Sequence, residues 1–158
     1  MYPQTHFLFA FFLAEIFVQI GWLNHYSALI CAVLAVIIDF DHIIEHFLLT
    51  KDRSLKRFWN NSVMKNDPRE RTILHHLPGF IIFLILPIAI WFSAVQNRPA
   101  AIIIAVAYWS HMFLDTIRIH IMMKKVDIKE CGFHIPIYMH EVALDAAFLV
   151  LGLVLIFV

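Results

Sequence analysis

Five apolar stretches set the limits of what this chain can fold into. Residues 5–23, 27–49, 77–95, 99–123 and 137–158 are dominated by Phe, Leu, Ile, Val and Ala. Each reaches the roughly 17–25 residues that a helix needs to cross hydrocarbon. A water-soluble chain of 158 residues folds around one modest core and could not bury five such segments together. Hydrophobic residues make up 61% of the sequence, against roughly 45–50% in ordinary globular proteins. Mean hydropathy is +0.78. Lipid is the host this pattern implies. The expected fold is all-α, a polytopic bundle of about five transmembrane helices forming one integral membrane domain over residues 1–158.

A secretory signal peptide is the alternative for the first stretch. Residues 1–22 contain no Lys or Arg and no clear small-x-small cleavage site, so the stretch reads as a membrane helix. Glu15 and Gln19 interrupt it. The second stretch is purely apolar only over residues 28–38. Pro78 stands near the start of the third, and Pro87 is expected to kink it. Residues 24–26 and 96–98 are short turns, residues 51–74 form a long charged connection, and residues 124–136 read as a polar loop. Cys31 lies in an apolar run and Cys131 in that loop, which suits neither a disulfide framework nor a thiolate metal site.

Five crossings put the N-terminus and residues 51–74 and 124–136 on one side, and the two short turns and the C-terminus on the other. Every Lys and Arg except Arg98 then falls on the first side, which the positive-inside bias makes cytoplasmic. The chain holds 10 histidines, and all but His25 fall on that side or in the adjoining half of a helix. Asp39, Asp41, Glu45, Asp115, Glu141 and Asp145 do the same. Ionisable groups at this depth are costly unless paired, protonated or metal-bound, so their convergence is a functional hypothesis. Net charge is zero, with 12 Lys+Arg against 12 Asp+Glu, and gives no reason to expect a nucleic-acid partner.

The second stretch carries Asp39-Phe-Asp41-His42-Ile-Ile-Glu45-His46. At about 100° per residue, Asp39, His42 and His46 share one helix face and Asp41 and Glu45 another. One straight helix cannot aim Asp39 and Asp41 at the same ion. Either the helix frays there, or only one of them is a direct ligand, or two ions are bound. A solvated helix end with paired charges is the plainer reading. His111 and Asp115 are an i,i+4 pair that reaches one point, with Arg118 on the same face and His120 opposite. They would ligate one cation, orient one another beside it, or form a simple buried hydrogen bond. His75 and His76 precede a helix opened by Pro78. Adjacent residues rarely both ligate, so one of the two is expected. Arg71 would contact a phosphate or lipid headgroups. Glu141 and Asp145 share a face of the last stretch and need a metal or Arg118 as partner. Glu15 would pair inside the bundle or stay protonated.

Mixed imidazole and carboxylate donors suit a divalent metal, Zn²⁺ first, with Mn²⁺ or Fe²⁺ as alternatives. An open site of this kind activates water for attack on an ester or phosphoester. A free carboxylate such as Asp41 or Glu141 would serve as general base, and Arg71 or Arg118 would stabilise developing negative charge. No G-x-S-x-G motif and no Gly-rich phosphate loop occurs.

Three blocks in this order, Asp39-Phe-Asp41-His42, Glu70-Arg71-Thr-Ile-Leu-His75-His76 and His111-Met-Phe-Leu-Asp115, resemble the LexA-regulated inner-membrane-associated metal-dependent hydrolase family. That family shows Pro-Asp-x-Asp-His, His-Arg-x-x-Thr-His-Ser and His-x-x-x-Asp. The resemblance covers about residues 25–120 and implies Asp39, Asp41, His42, Arg71, His75, His111 and Asp115 as site residues. This chain departs from the pattern at Ile38, Glu70, Leu74 and His76, which stand for the family's Pro, His, Thr and Ser. Glu70 or His76 would then substitute as ligand, or the chemistry differs. The expected function is metal-dependent hydrolysis of a lipid or lipid-linked ester or phosphoester, because a site at headgroup depth meets amphiphiles first. Membrane lipids are the expected partners. An ion or metal transporter is the second possibility, and a non-catalytic protein with a structural His/Asp site the third.

Overall fold

The computed structural model describes residues 2–50, 54–56, 73–120, 125–130 and 133–157. The protein is helical. Helix α1 spans Pro3–Gln19, α2 His25–Ile37, α3 Phe40–Thr50, α4 Leu77–Ser93, α5 Arg98–His120 and α6 Met139–Phe157. Short 3₁₀ turns, Ile73–His75 and Val95–Asn97, lead into α4 and α5. Two helices are long and apolar enough to cross a membrane: His25–Leu48, formed by α2 with α3, and His140–Phe157 within α6. Leu77–Ser93 is a shorter apolar helix.

Local sequence explains the boundaries. Gly21 ends α1 with φ +78°, a left-handed conformation that glycine adopts without steric cost. The Gly21 N–H donates to Val18 O and the Trp22 N–H to Phe17 O, both at 2.9 Å, which satisfies the last carbonyls of the helix. Asn24 caps α2, its side-chain oxygen accepting from the Ser27 N–H at 2.8 Å. Pro3 and Pro78 occupy the first turns of α1 and α4, where a missing N–H costs nothing.

Residues 124–136, expected as a loop, contain an antiparallel hairpin instead. Strand β1, Lys125–Glu130, pairs with β2, Phe133–Tyr138, and Ile128 stands opposite Ile135. The alternation Phe133-His-Ile135-Pro-Ile137-Tyr is the period-2 signal that a helical reading overlooks. Pro136 is tolerated because a two-stranded sheet has only edge strands. The last helix accordingly starts at Met139, two residues later than its apolar stretch suggested.

Helix α1 packs against α2, α5 and α6, and α5 against α2 and α4. Ala10, Ala14, Ala28, Cys31, Ala35 and Ala107 form the central cluster. Small residues at three- and four-residue spacing let helices approach closely, the packing favoured where lipid removes the hydrophobic drive. Large apolar side chains point outward, among them Ile81, Leu84, Ile85, Val150 and Val154, while His6, Glu15, His111 and Glu141 are buried. That distribution inverts the one expected in water.

Candidate metal centre

The polar block at the end of the second apolar stretch does not continue as a straight helix. Helix α2 stops at Ile37 and α3 starts at Phe40, with a turn at residues 38–39. The Asp39 N–H donates to Val36 O at 3.1 Å and the His42 N–H to Asp39 O at 3.3 Å, both i,i−3 bonds that tighten the chain locally. The break sends the two aspartates to different partners. Asp39 Oδ1 lies 3.4 Å from His111 Nε2, and Asp41 Oδ2 lies 3.5 Å from His75 Nδ1.

His75 sits on the 3₁₀ turn before α4, and two contacts place that turn. The Tyr108 hydroxyl, fully buried on α5, donates to Leu74 O at 2.6 Å. The backbone of Leu74 also lies directly over Gly79, where a Cβ would come within 2.7 Å of the Leu74 Cα and carbonyl carbon. Only glycine admits that approach.

Helix α5 supplies His111 and Asp115 one turn apart. His111 Nδ1 is 2.8 Å from the Ala35 carbonyl. A carbonyl only accepts, so Nδ1 carries the hydrogen and donates. In the neutral ring Nε2 is then a bare donor atom directed at the aspartates, the tautomer that metal-binding histidines adopt.

Four atoms from three separate elements meet here: Asp39 Oδ1, His75 Nε2, His111 Nε2 and Asp115 Oδ2. His111 Nε2 is 3.4 Å from both aspartate oxygens and 3.3 Å from His75 Nε2. His75 Nε2 is 3.6 Å from Asp115 Oδ2. The whole set lies within 4.8 Å. Most of these separations are long for hydrogen bonds. These four separations are close to the edges, about 3.4 Å, of a tetrahedron whose centre is about 2.1 Å from each corner, and the remaining pairs of the set are within 4.8 Å. Two imidazoles and two carboxylates therefore fit one divalent ion. The histidine side chains are 0% and 7% exposed and the aspartates 27% and 28%, so the site opens on its carboxylate side.

Asp41, His42 and His75 form a second, overlapping donor group. The Asp41 contact to His75 Nδ1 resembles the carboxylate–histidine pairing that orients a metal ligand. The His42 ring lies against His75 in a tilted arrangement with centroids 4.6 Å apart, and its Nε2 is 4.0 Å from Asp41 Oδ1. Burial opposes charge on His75, but hydrogen bonds to Asp115 and Asp41 and their negative charges outweigh it and raise its pKa to about 9. The 3.3 Å gap between the two Nε2 atoms can hold that proton where a cation would otherwise sit.

Of the residues singled out in the sequence, Asp39, His75, His111 and Asp115 come together, with Asp41 and His42 against His75. His76 is exposed. Glu141 and His46 are buried, and neither they nor His140 and Asp145 belong to the two donor groups among the described residues. Arg71 and Glu70 lie outside the described residues, as does Cys131. Arg118 stands on α5, where only its backbone is described.

Sequence reasoning gave no role to His6, which is 1% exposed. Its ring stacks on His111 at 4.1 Å, and its Nε2 is 3.3 Å from Asp115 Oδ1. A histidine in the first turns of an otherwise apolar helix was the available signal. The Ala35 carbonyl and Gly79 offered none.

Fold and site together define a helical membrane protein with a His/Asp donor cluster buried among its helices. The chain belongs to the YdjM inner membrane protein family, whose model matches residues 1–156. No curated protein and no solved structure matches it.

Proposed function

We propose that this protein is a multi-pass inner-membrane hydrolase that uses one divalent metal ion held by Asp39, His75, His111 and Asp115. The convergence of four donor atoms within 4.8 Å of one another carries the reading. Zinc is the first choice for two nitrogens and two oxygens, with manganese or iron as alternatives. Such an ion would supply Lewis acidity, and a water would join it as a fifth ligand from the more exposed carboxylate side.

The chain's own groups have distinct tasks. The Ala35 carbonyl fixes the His111 tautomer, and Asp41 holds the His75 ring. Arg71 and Arg118 would meet the negative charge of an ester or phosphoester entering from the headgroup region. Glu141 stays a candidate acid–base group at the start of α6. Five crossings with the site near the cytoplasmic face place these residues where lipid or lipid-linked substrates present their polar ends.

A carrier would need polar groups along its path. Buried Glu15 and half-exposed His25 form a pair closed on itself, with His25 Nδ1 at 2.9 and 3.1 Å from the two carboxylate oxygens. Ala14, Ala28, Cys31 and Ala35 form an apolar packing cluster, which favours a one-sided site. Elemental analysis of the purified protein tests the proposal. We expect about one divalent ion per chain, lost in His111→Ala and Asp115→Ala, and hydrolysis of a lipid ester or phosphoester that disappears with it. Metal-free wild-type protein after preparation in metal-replete buffer would overturn it.

A further inference from the structure

Asp115 presents its two oxygens to different neighbours. Oδ2 faces His75 Nε2 and His111 Nε2 at 3.6 and 3.4 Å. Oδ1 faces His6 Nε2 at 3.3 Å. The contact is at ion-pair distance, and the ring N–H is not aimed at the oxygen closely enough to count as a hydrogen bond. The same imidazole lies flat on His111, with centroids 4.1 Å apart and planes 20° from parallel. His6 is 1% exposed, yet it belongs to neither group of converging donors.

We infer that His6 is a positioning residue that holds the outer oxygen of Asp115 and so makes this carboxylate a one-oxygen ligand. The inference rests on the metal reading above. An aspartate free to turn would offer both oxygens to a cation and fill the position that an open site keeps for water. With His6 Nε2 set against Oδ1, Oδ2 is the oxygen left facing the ion. The stack on His111 steadies a second ligand, on the side opposite its Ala35 hydrogen bond. Helix α1 thus takes part in the centre without supplying a ligand, and its docking and the geometry of the ion are linked.

Three variants in the full chain separate the polar contact from the space that His6 fills. His6→Gln keeps an N–H at similar reach, His6→Met has similar length but no donor, and His6→Phe keeps a ring on His111. Affinity is read by competition with a chromophoric chelator, and coordination from the visible bands of the Co²⁺-loaded protein, which weaken as coordination number rises. We expect His6→Met and His6→Phe to lose about 10- to 100-fold in affinity, the range for outer-shell partners of metal ligands. Their Co²⁺ bands should weaken, whereas His6→Gln stays close to wild type in both. Should one of the two non-donors fail to fold, the other carries the comparison. Wild-type affinity and bands in His6→Met or His6→Phe would overturn the inference alone, as would a His6→Gln protein no better than they are. Wild-type protein that takes up no Co²⁺ or Zn²⁺ would overturn the metal reading and this inference with it.

Discussion

A methyl group at position 79 would collide with the Leu74 backbone, within 2.7 Å of its Cα and carbonyl carbon. The next residue is His75, whose two ring nitrogens face Asp41 and Asp115 at 3.5 and 3.6 Å. Gly79→Ala must push the 3₁₀ turn outward, and a ligand displaced by an ångström is lost to a metal. We expect metal affinity to fall about tenfold or more, comparable with losing an outer-shell partner, while α4 still forms because alanine is the better helix former. Metal titration followed beside circular dichroism checks this. Intact affinity in Gly79→Ala would mean that the turn is held mainly by the Tyr108 hydroxyl on Leu74 O.

At the scale of elements, the corner between α1 and α2 is closed by Glu15 and His25. The acid side chain is 0% exposed and the histidine 56%. Removing the half-exposed partner leaves a buried carboxylate without its donor. His25→Ala should therefore cost on the order of 2 kcal/mol, read as a lower unfolding temperature in detergent. Glu15→Gln in the same chain should recover part of that loss, because a neutral amide is cheaper to bury alone. Additive losses in the double variant would show that the two residues do not interact. On the next corner, Arg98 lies over the Trp91 ring at 5.0 Å, a cation–π contact between α4 and α5.

For the whole molecule, the proposed five-crossing arrangement predicts, from the distribution of Lys and Arg, residues 51–74 in the cytoplasm and the C-terminus on the opposite side. Single cysteines introduced in the 51–74 connection should react with an impermeant thiol reagent only after the membrane is opened, and one placed after Phe157 in intact spheroplasts. The reverse pattern, or labelling of both from one side, would remove the five-crossing arrangement. The same layout explains why the donor cluster gathers at one end: α2, the turn before α4, and α5 bring their polar ends to one level, while Ile81, Leu84 and Val154 face outward.

The helical class, the five apolar stretches and the residues that could bind a metal were legible in the chain, because hydropathy and i,i+4 spacing are local properties. Asp39, His111 and Asp115 stood out for the same reason, as charged and imidazole side chains in apolar surroundings, whereas His75 was separated from His76 only by the family resemblance. Which of Asp39 and Asp41 faces the centre depended on the break at residues 38–39, and that break is settled by packing against α5. The part played by His6 was hidden because a stacked ring and a shared carboxylate join residues far apart in sequence. The hairpin at 125–138 was hidden by polar residues that mask its alternation. Local periodicity specifies elements and their buried faces, whereas contacts between elements choose which atoms meet.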